Sequence, residues 1–144
     1  MKHKVKALGM PYERITEEFL HRKFCEYNLL YFEGKLPDCE VKINEIQRFG
    51  VWGWYYTNGN SDPIIEIDTL LTYDHDYQIR NVLIHEMIHL YIDKVLCKEE
   101  KPVHGYVFRR VRKELNETYH LYIDQNPHVS VYAYNIYKIE TQPS

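Results

Sequence analysis

The sequence predicts an α+β fold, with a small, mainly antiparallel sheet and helices packed on one of its faces. Three observations carry this expectation. Residues 16 to 32 repeat apolar side chains at helical spacing, residues 40 to 67 hold three short strand-like runs, and residues 76 to 119 return to helical spacing. The chain has 144 residues, 44% of them hydrophobic and 27% charged. That length suits one domain and excludes a full TIM barrel or a two-domain dehydrogenase. Residues 1–144 are therefore read as a single domain, with a core over about 16–117 and an extended C-terminal segment over 118–144.

The first helix, 16 to 32, has Thr16 as its N-cap and Glu17 and Glu18 at the positive end of its dipole. Phe19, Leu20, Phe24, Tyr27 and Tyr31 recur along one face, Gly34 fits the stop, and Pro37 prevents a restart. Residues 40 to 46 alternate with period two, which puts Val41 and Ile43 on one face of a strand. Residues 51 to 57 are rich in strand formers, Asn58-Gly59-Asn60 signals a turn, and residues 63 to 67 read as the next strand, paired with the previous one. A long helix is expected from Asp76 to Leu96, capped by Asp74 or Asp76, and another over 104 to 119. Residues 129 to 139 read as a last strand or extended segment.

Charge and cysteine content narrow the function classes. The formal charge is 18 − 21 = −3, which argues against a strongly basic nucleic-acid binder. Cys25, Cys39 and Cys97 are far apart and odd in number, so neither a disulfide framework nor a Cys-rich zinc ribbon is expected. The basic start, Met1 to Met10, lacks the apolar run of a secretory signal, and no apolar run approaches the length of a membrane span. The expectation is a soluble, cytoplasmic protein with no membrane partner.

The chemistry centres on His85-Glu86-Met87-Ile88-His89, an HExxH pattern inside the long helix. Four residues turn roughly 400° along an α-helix, so His85 and His89 project from one face, one turn apart. Two neutral imidazoles at that separation suit adjacent corners of a tetrahedral Zn²⁺ site. Glu86 can reach a water at the metal without ligating it, which suits a general base. A catalytic zinc usually takes three protein ligands and keeps one position open. His104, at the start of the next helix, can fold back over the loop of Lys98 to Pro102, and Gly105 permits close backbone approach. The cofactor expected is one Zn²⁺ per chain. The alternative is a pair of solvated or core histidines with no metal.

His85-Glu86-x-x-His89, followed by His104-Gly105-x-x-Phe108 and Asn116, resembles the SprT-like (Spartan-type) zinc metallopeptidase domain. Upstream, Phe24, Asn28, Tyr31-Phe32 and Gly34-Lys35-Leu36-Pro37 are similar to that domain's opening helix and the turn after it. The resemblance covers roughly residues 16 to 117. It implies His85, His89 and His104 as zinc ligands, Glu86 as catalytic base and a minimal zincin-like fold. It also implies proteolysis of DNA-associated or DNA-crosslinked proteins, the repair role of the best-known members. Many members add a zinc ribbon with paired cysteines, a pattern this sequence does not contain.

Other signals have two readings each. Tyr91 and Tyr106 are candidate oxyanion donors or packing aromatics, and Asp68 and Asp93 are candidates to hold the histidine N–H groups. Asp74-His75-Asp76 reads better as helix capping than as a second metal site. Lys101, Arg109, Arg110, Arg112 and Lys113 form either a phosphate-binding patch or a solvated helix face. Trp52, Trp54, Tyr55 and Tyr56, with Tyr132, Tyr134 and Tyr137, either pack or stack on single-stranded DNA. Besides a metallohydrolase acting on a non-peptide amide, which the motif chemistry also permits, two functions follow. One is a zinc endopeptidase acting on a protein or peptide substrate, with single-stranded DNA as a candidate partner. The other is a zinc-bearing nucleic-acid or protein-binding module without catalysis. Retention of Glu86 favours the first, because a structural zinc has no use for it.

Overall fold

The computed structural model describes residues 4, 5, 12, 13, 15–48, 50–127 and 129–142. Most of the basic start, read above as lacking a secretory signal, lies outside these residues. Two short strands, β1 (Lys4–Val5) and β2 (Tyr12–Glu13), pair antiparallel. Helix α1 (Glu17–Tyr31) follows, and the Thr16 hydroxyl accepts the Phe19 N–H at 3.1 Å, as its sequence pattern predicts. The turn that closes the helix includes Gly34, which takes φ +70° and donates to the Asn28 carbonyl at 2.9 Å. The Asn28 side chain clamps the same turn. Its carbonyl accepts the Leu36 N–H and its amide donates to the Leu36 carbonyl, both at 3.1 Å.

The main sheet has three strands: β3 (Glu40–Asn44), β4 (Gly53–Thr57) and β5 (Pro63–Asp68), in the order β3-β5-β4. β4 and β5 form the expected antiparallel pair about Asn58-Gly59, with Gly53 opposite Ile67 and Thr57 opposite Pro63. β3 pairs with β5 in parallel, so the sheet is mixed rather than mainly antiparallel. β5 is therefore central and β4 is an edge. Val41, Ile65 and Ile67 face the helices and join Leu20, Phe24 and the buried face of the next helix in one core. On the opposite face the Glu66 carboxylate is buried and accepts from Trp54 Nε1 (2.7 Å) and Asn44 Nδ2 (2.8 Å), which fixes the Trp54 indole at the sheet edge.

A 3₁₀ turn, Thr69–Tyr73, leads into α2 (Asp76–Leu90). The expected helix to Leu96 is interrupted: a π turn, Tyr91–Val95, replaces its last part. Neither Asp74 nor Asp76 is the cap. His75 holds that position without a side-chain bond, while Asp74 accepts from the amide and hydroxyl of Ser130. α2 is buried on nearly every side, from Gln78 to Leu90. α3 (Tyr106–Tyr119) is a surface helix with only Phe108 and Leu115 buried.

The segment read as a last strand is instead a helix, α4 (Val131–Glu140). Ser130 caps it by accepting from the Ala133 N–H at 3.2 Å, and Asp74 holds that serine in place. Ala133, Ile136 and Tyr137, at helical spacing, pack on Tyr73, with the Tyr73 and Tyr137 rings 5.4 Å apart. The alternating Val-Tyr-Ala-Tyr pattern has strand propensity, and this tertiary contact overrides it. Among the described residues no helix is long and apolar enough to cross a membrane. All three cysteines are free, as their spacing suggests.

Candidate metal centre

α2 sets the geometry because it cannot rotate. Val82, Leu83, Ile84, Met87, Ile88 and Leu90 are fully buried around it, so the two histidines are held on its remaining face. Gly53 lets β4 approach that face. A Cβ there would lie 3.0 Å from Val82 Cγ1 and 3.4 Å from Glu86 Cγ. His104 arrives from the turn before α3. Gly105 is required in that turn, since a Cβ would stand 2.9 Å from the Pro102 carbonyl oxygen. The close backbone approach expected at Gly105 is therefore present.

The three rings converge. His85 Nε2 lies 3.1 Å from His104 Nε2 and 3.3 Å from His89 Nε2. One ring nitrogen from each of the three lies within 4.8 Å of the others. The Phe108 ring backs all three imidazoles, with centroid separations of 4.7 to 4.8 Å. His85 and His89 are buried, and His104 is half-buried.

The outer contacts decide which nitrogens carry protons. His85 Nδ1 donates to the Asp124 carbonyl at 2.9 Å, and His89 Nδ1 donates to Glu100 Oε2 at 2.7 Å. With those protons placed, both neutral rings present bare Nε2 lone pairs to one point. Two lone pairs 3.3 Å apart repel, and a cation between them removes the conflict. Tetrahedral zinc with Zn–N near 2.0–2.1 Å sets its nitrogen ligands about 3.3–3.4 Å apart, so the donor set fits a metal ion.

Electrostatics point the same way. Burial lowers His85 to about 3, and burial also lowers His104. Both rings are thus held in the neutral, ligating form at physiological pH. Burial pushes the Glu86 carboxyl up to about 7, with Glu100 adding and His89 opposing. Glu86 Oε2 sits 3.9 Å from His85 Nε2, beside the converging nitrogens.

These groups open onto a cleft of about 670 Å³. Trp52, Trp54 and Tyr55 border it on the β4 side, the loop of Lys98 to Val103 on another, and Asn126 and Pro127 on a third. Trp52 and Trp54 both line it. Arg48 stacks on Trp54, its guanidinium 4.7 Å from the ring.

Several weaker expectations are corrected. Asp68 caps the 3₁₀ turn and accepts the Ile46 N–H, and Asp93 accepts from Tyr55, so neither holds a histidine. Glu100 and the Asp124 carbonyl do that instead. Glu100 was findable as an acid in the loop between His89 and His104, whereas a backbone carbonyl has no sequence signature. Tyr91 and Tyr106 line a separate groove of about 410 Å³, away from the histidines. Tyr132 stacks on His75 at 4.3 Å, so Tyr132 and Tyr137 serve packing. The cations read as either a phosphate-binding patch or a solvated helix face also make contacts within the chain. Arg109 donates to the His104 carbonyl and Arg112 to that of Ile123, while Arg110 and Lys113 pair with Glu114 and Glu117 and Lys101 pairs with Glu99.

A mixed α+β domain with three converging histidines at a cleft holds a potential metal site and fits a metallopeptidase-like domain. The model of the SprT-like family matches residues 20–133, most of the chain, and the protein belongs to that family. No curated protein gives a match.

Proposed function

We propose that this protein is a zinc-dependent endopeptidase in which His85, His89 and His104 hold one zinc ion and Glu86 is the general base. The observation that carries this reading is the pair of fixed tautomers: Glu100 and the Asp124 carbonyl take the Nδ1 protons, so bare Nε2 atoms meet at one point beside a buried carboxyl. When bound, zinc supplies Lewis acidity, which acidifies water and polarises a peptide carbonyl.

The chain's own residues do the rest. Glu86, whose carboxyl burial pushes up to about 7, would return to its carboxylate form beside a cation held by the histidines and so be ready to accept a proton. Glu86 takes the proton of the attacking water and passes it to the leaving amine. β4 hydrogen-bonds only to β5 among the described residues, and its free side borders the cleft. An extended peptide can add to that edge by main-chain hydrogen bonds, which places a scissile carbonyl near the histidines without demanding a particular side chain. Trp52, Trp54 and Val103 supply apolar surface for its side chains.

Two finer points rest on family membership and the sequence. Substrates are drawn from DNA-associated proteins, with single-stranded DNA as a candidate activator, in keeping with the SprT-like family. The compartment is the cytoplasm, in keeping with three free cysteines.

The decisive experiment is metal content by elemental mass spectrometry on protein purified without added metal. About one zinc per chain is expected in the parent and in Glu86→Gln, with marked loss in His104→Ala. Casein hydrolysis, with and without single-stranded DNA, then follows for the zinc-loaded parent and Glu86→Gln. No zinc in the parent, even after reconstitution, sinks the reading. Zinc without hydrolysis under either condition replaces it with a zinc-bearing binding module.

A further inference from the structure

Residues 121–127 form no helix or strand, yet they bond to both α2 and α3 and are held there by side-chain amides. The C-cap of α3, His120, turns the chain through a left-handed conformation at φ 56°. Leu121 and Ile123 then insert into the core, while Tyr122 points outward and is 80% exposed. This alternation is that of an extended chain, whose carbonyls repeat every two residues at about 6.6 Å. Four residues along a helix, just over one turn, advance about 6 Å. The two spacings match. Asn81 Nδ2 donates to the Tyr122 carbonyl at 3.0 Å, and His85 Nδ1, four residues on, donates to the Asp124 carbonyl at 2.9 Å.

A carbonyl on a loop is only as fixed as the loop. Here the residue between those two carbonyls is locked by Asn116. Its Oδ1 accepts the Ile123 N–H at 2.9 Å and its Nδ2 donates to the Ile123 carbonyl at 3.2 Å. Arg112 donates to the same carbonyl at 2.9 Å. Beyond the cleft residues Asn126 and Pro127, Asp74 anchors the far end through Ser130.

We infer that residues 121–127 are a strap that positions His85 for metal binding, that Asn116 is its locking residue, and that strap docking and metal binding stabilise each other. Asn116 touches no substrate and no metal. It acts through Ile123 and the Asp124 carbonyl, which sets the ring orientation and tautomer of His85. Because coupling is reciprocal, zinc must tighten the strap by the same factor that the docked strap tightens zinc. The inference rests on the proposed role of His85 as a metal ligand.

The molecule supplies its own control. Asn28 clamps Leu36 by the same two-bond pattern, in a turn remote from the histidines. Zinc affinity is measured by competition with a chromophoric chelator in the parent, Asn116→Ala and Asn28→Ala, alongside thermal unfolding of the metal-free forms. Hydrogen exchange of the amides of residues 121–124 is followed in the parent with and without zinc. Both variants should lower the metal-free melting temperature. Only Asn116→Ala should weaken zinc, by about tenfold or more. Zinc should slow exchange in the parent strap. Parent-like zinc affinity in Asn116→Ala sinks the inference while leaving the zinc site intact. Equal weakening in both variants sinks it too, because it reduces Asn116 to general stability. If Asn116→Ala does not fold, the parent strap decides: exchange unchanged by zinc overturns the coupling, and slowed exchange supports it. A parent that binds no zinc overturns both this inference and the proposed function.

Discussion

Helices α2 and α3 both bring histidine to the centre, but by opposite means. α2 carries His85 and His89 in its middle and is buried almost all round. Its histidines are placed by the packing of the whole core. α3 is amphipathic, buries only Phe108 and Leu115, and follows His104, which sits in the turn before it. That third histidine is placed by local means: a glycine that lets two backbones meet, and one phenylalanine beneath the rings. The lesson is that the site couples a rigid half to an adjustable half. Changes in α2 should disturb fold and site together, whereas changes near α3 should separate them.

The sharpest test on the rigid side spares the fold. Glu86→Gln keeps the buried shape but removes the base, so kcat/KM for a peptide substrate should fall by about 10²–10⁴ while zinc content stays at the parent level. A variant that loses zinc as well would place Glu86 among the ligands. On the adjustable side, Phe108→Ala removes a ring that is 1% exposed and packs on all three histidines. It should cost about 3–5 kcal/mol in urea unfolding and weaken zinc binding as well. A stability loss with unchanged zinc affinity would show that the rings do not need its support.

Gly105→Ala should split the two halves more cleanly. The added methyl meets the Pro102 carbonyl, so the turn must shift, at a cost of about 1–3 kcal/mol. The expected signature is weakened zinc binding with the far-ultraviolet spectrum of the helices retained. Unchanged zinc affinity would mean that the turn re-forms around the methyl.

Proton linkage tests the rigid half without any metal. Burial holds His85 near 3 against an ordinary 6.5, and Glu86 near 7 against an ordinary 4.5. Between pH 3 and 6.5 the unfolded chain binds more protons at position 85, so that residue makes stability rise with pH. Between pH 4.5 and 7 the folded chain binds more protons at position 86, so that residue makes stability fall with pH. The two oppose each other from 4.5 to 6.5. Metal-free Glu86→Gln lacks the falling contribution, so its stability should rise more steeply than the parent's across that window in denaturant titrations. Parallel curves would show that Glu86 titrates normally in the fold.

The smallest effect belongs to the outer face of α3. Lys113 and Glu117 form an exposed i,i+4 pair at 4.0 Å. Lys113→Ala should change stability by no more than about 0.5 kcal/mol and leave zinc affinity unchanged. A larger effect on zinc would extend the site to a face that the structure leaves in solvent.

The sequence by itself determined whatever depends on neighbours a few residues away. Helical periodicity is local, so His85 and His89 had to share a face once α2 formed. The Thr16 cap and the β4–β5 hairpin about Asn58-Gly59 follow from similar short-range chemistry. His104 was a candidate from its place at the start of the next helix, and the family resemblance also implied it, but no local spacing brings it to the pair. The tertiary structure alone decided the rest. β3 lies parallel to β5, because strand pairing is a contest among surfaces far apart in the chain. Residues 131–140 became a helix because Asp74, 56 residues from Ser130, holds the capping serine and Tyr73 accepts the helical face. The holders of the two histidines came from Glu100 and from the Asp124 carbonyl, contacts across 11 and 39 residues. A side chain's local propensity can be read from its neighbours. Which distant group fixes a ring's proton depends on how the whole chain packs.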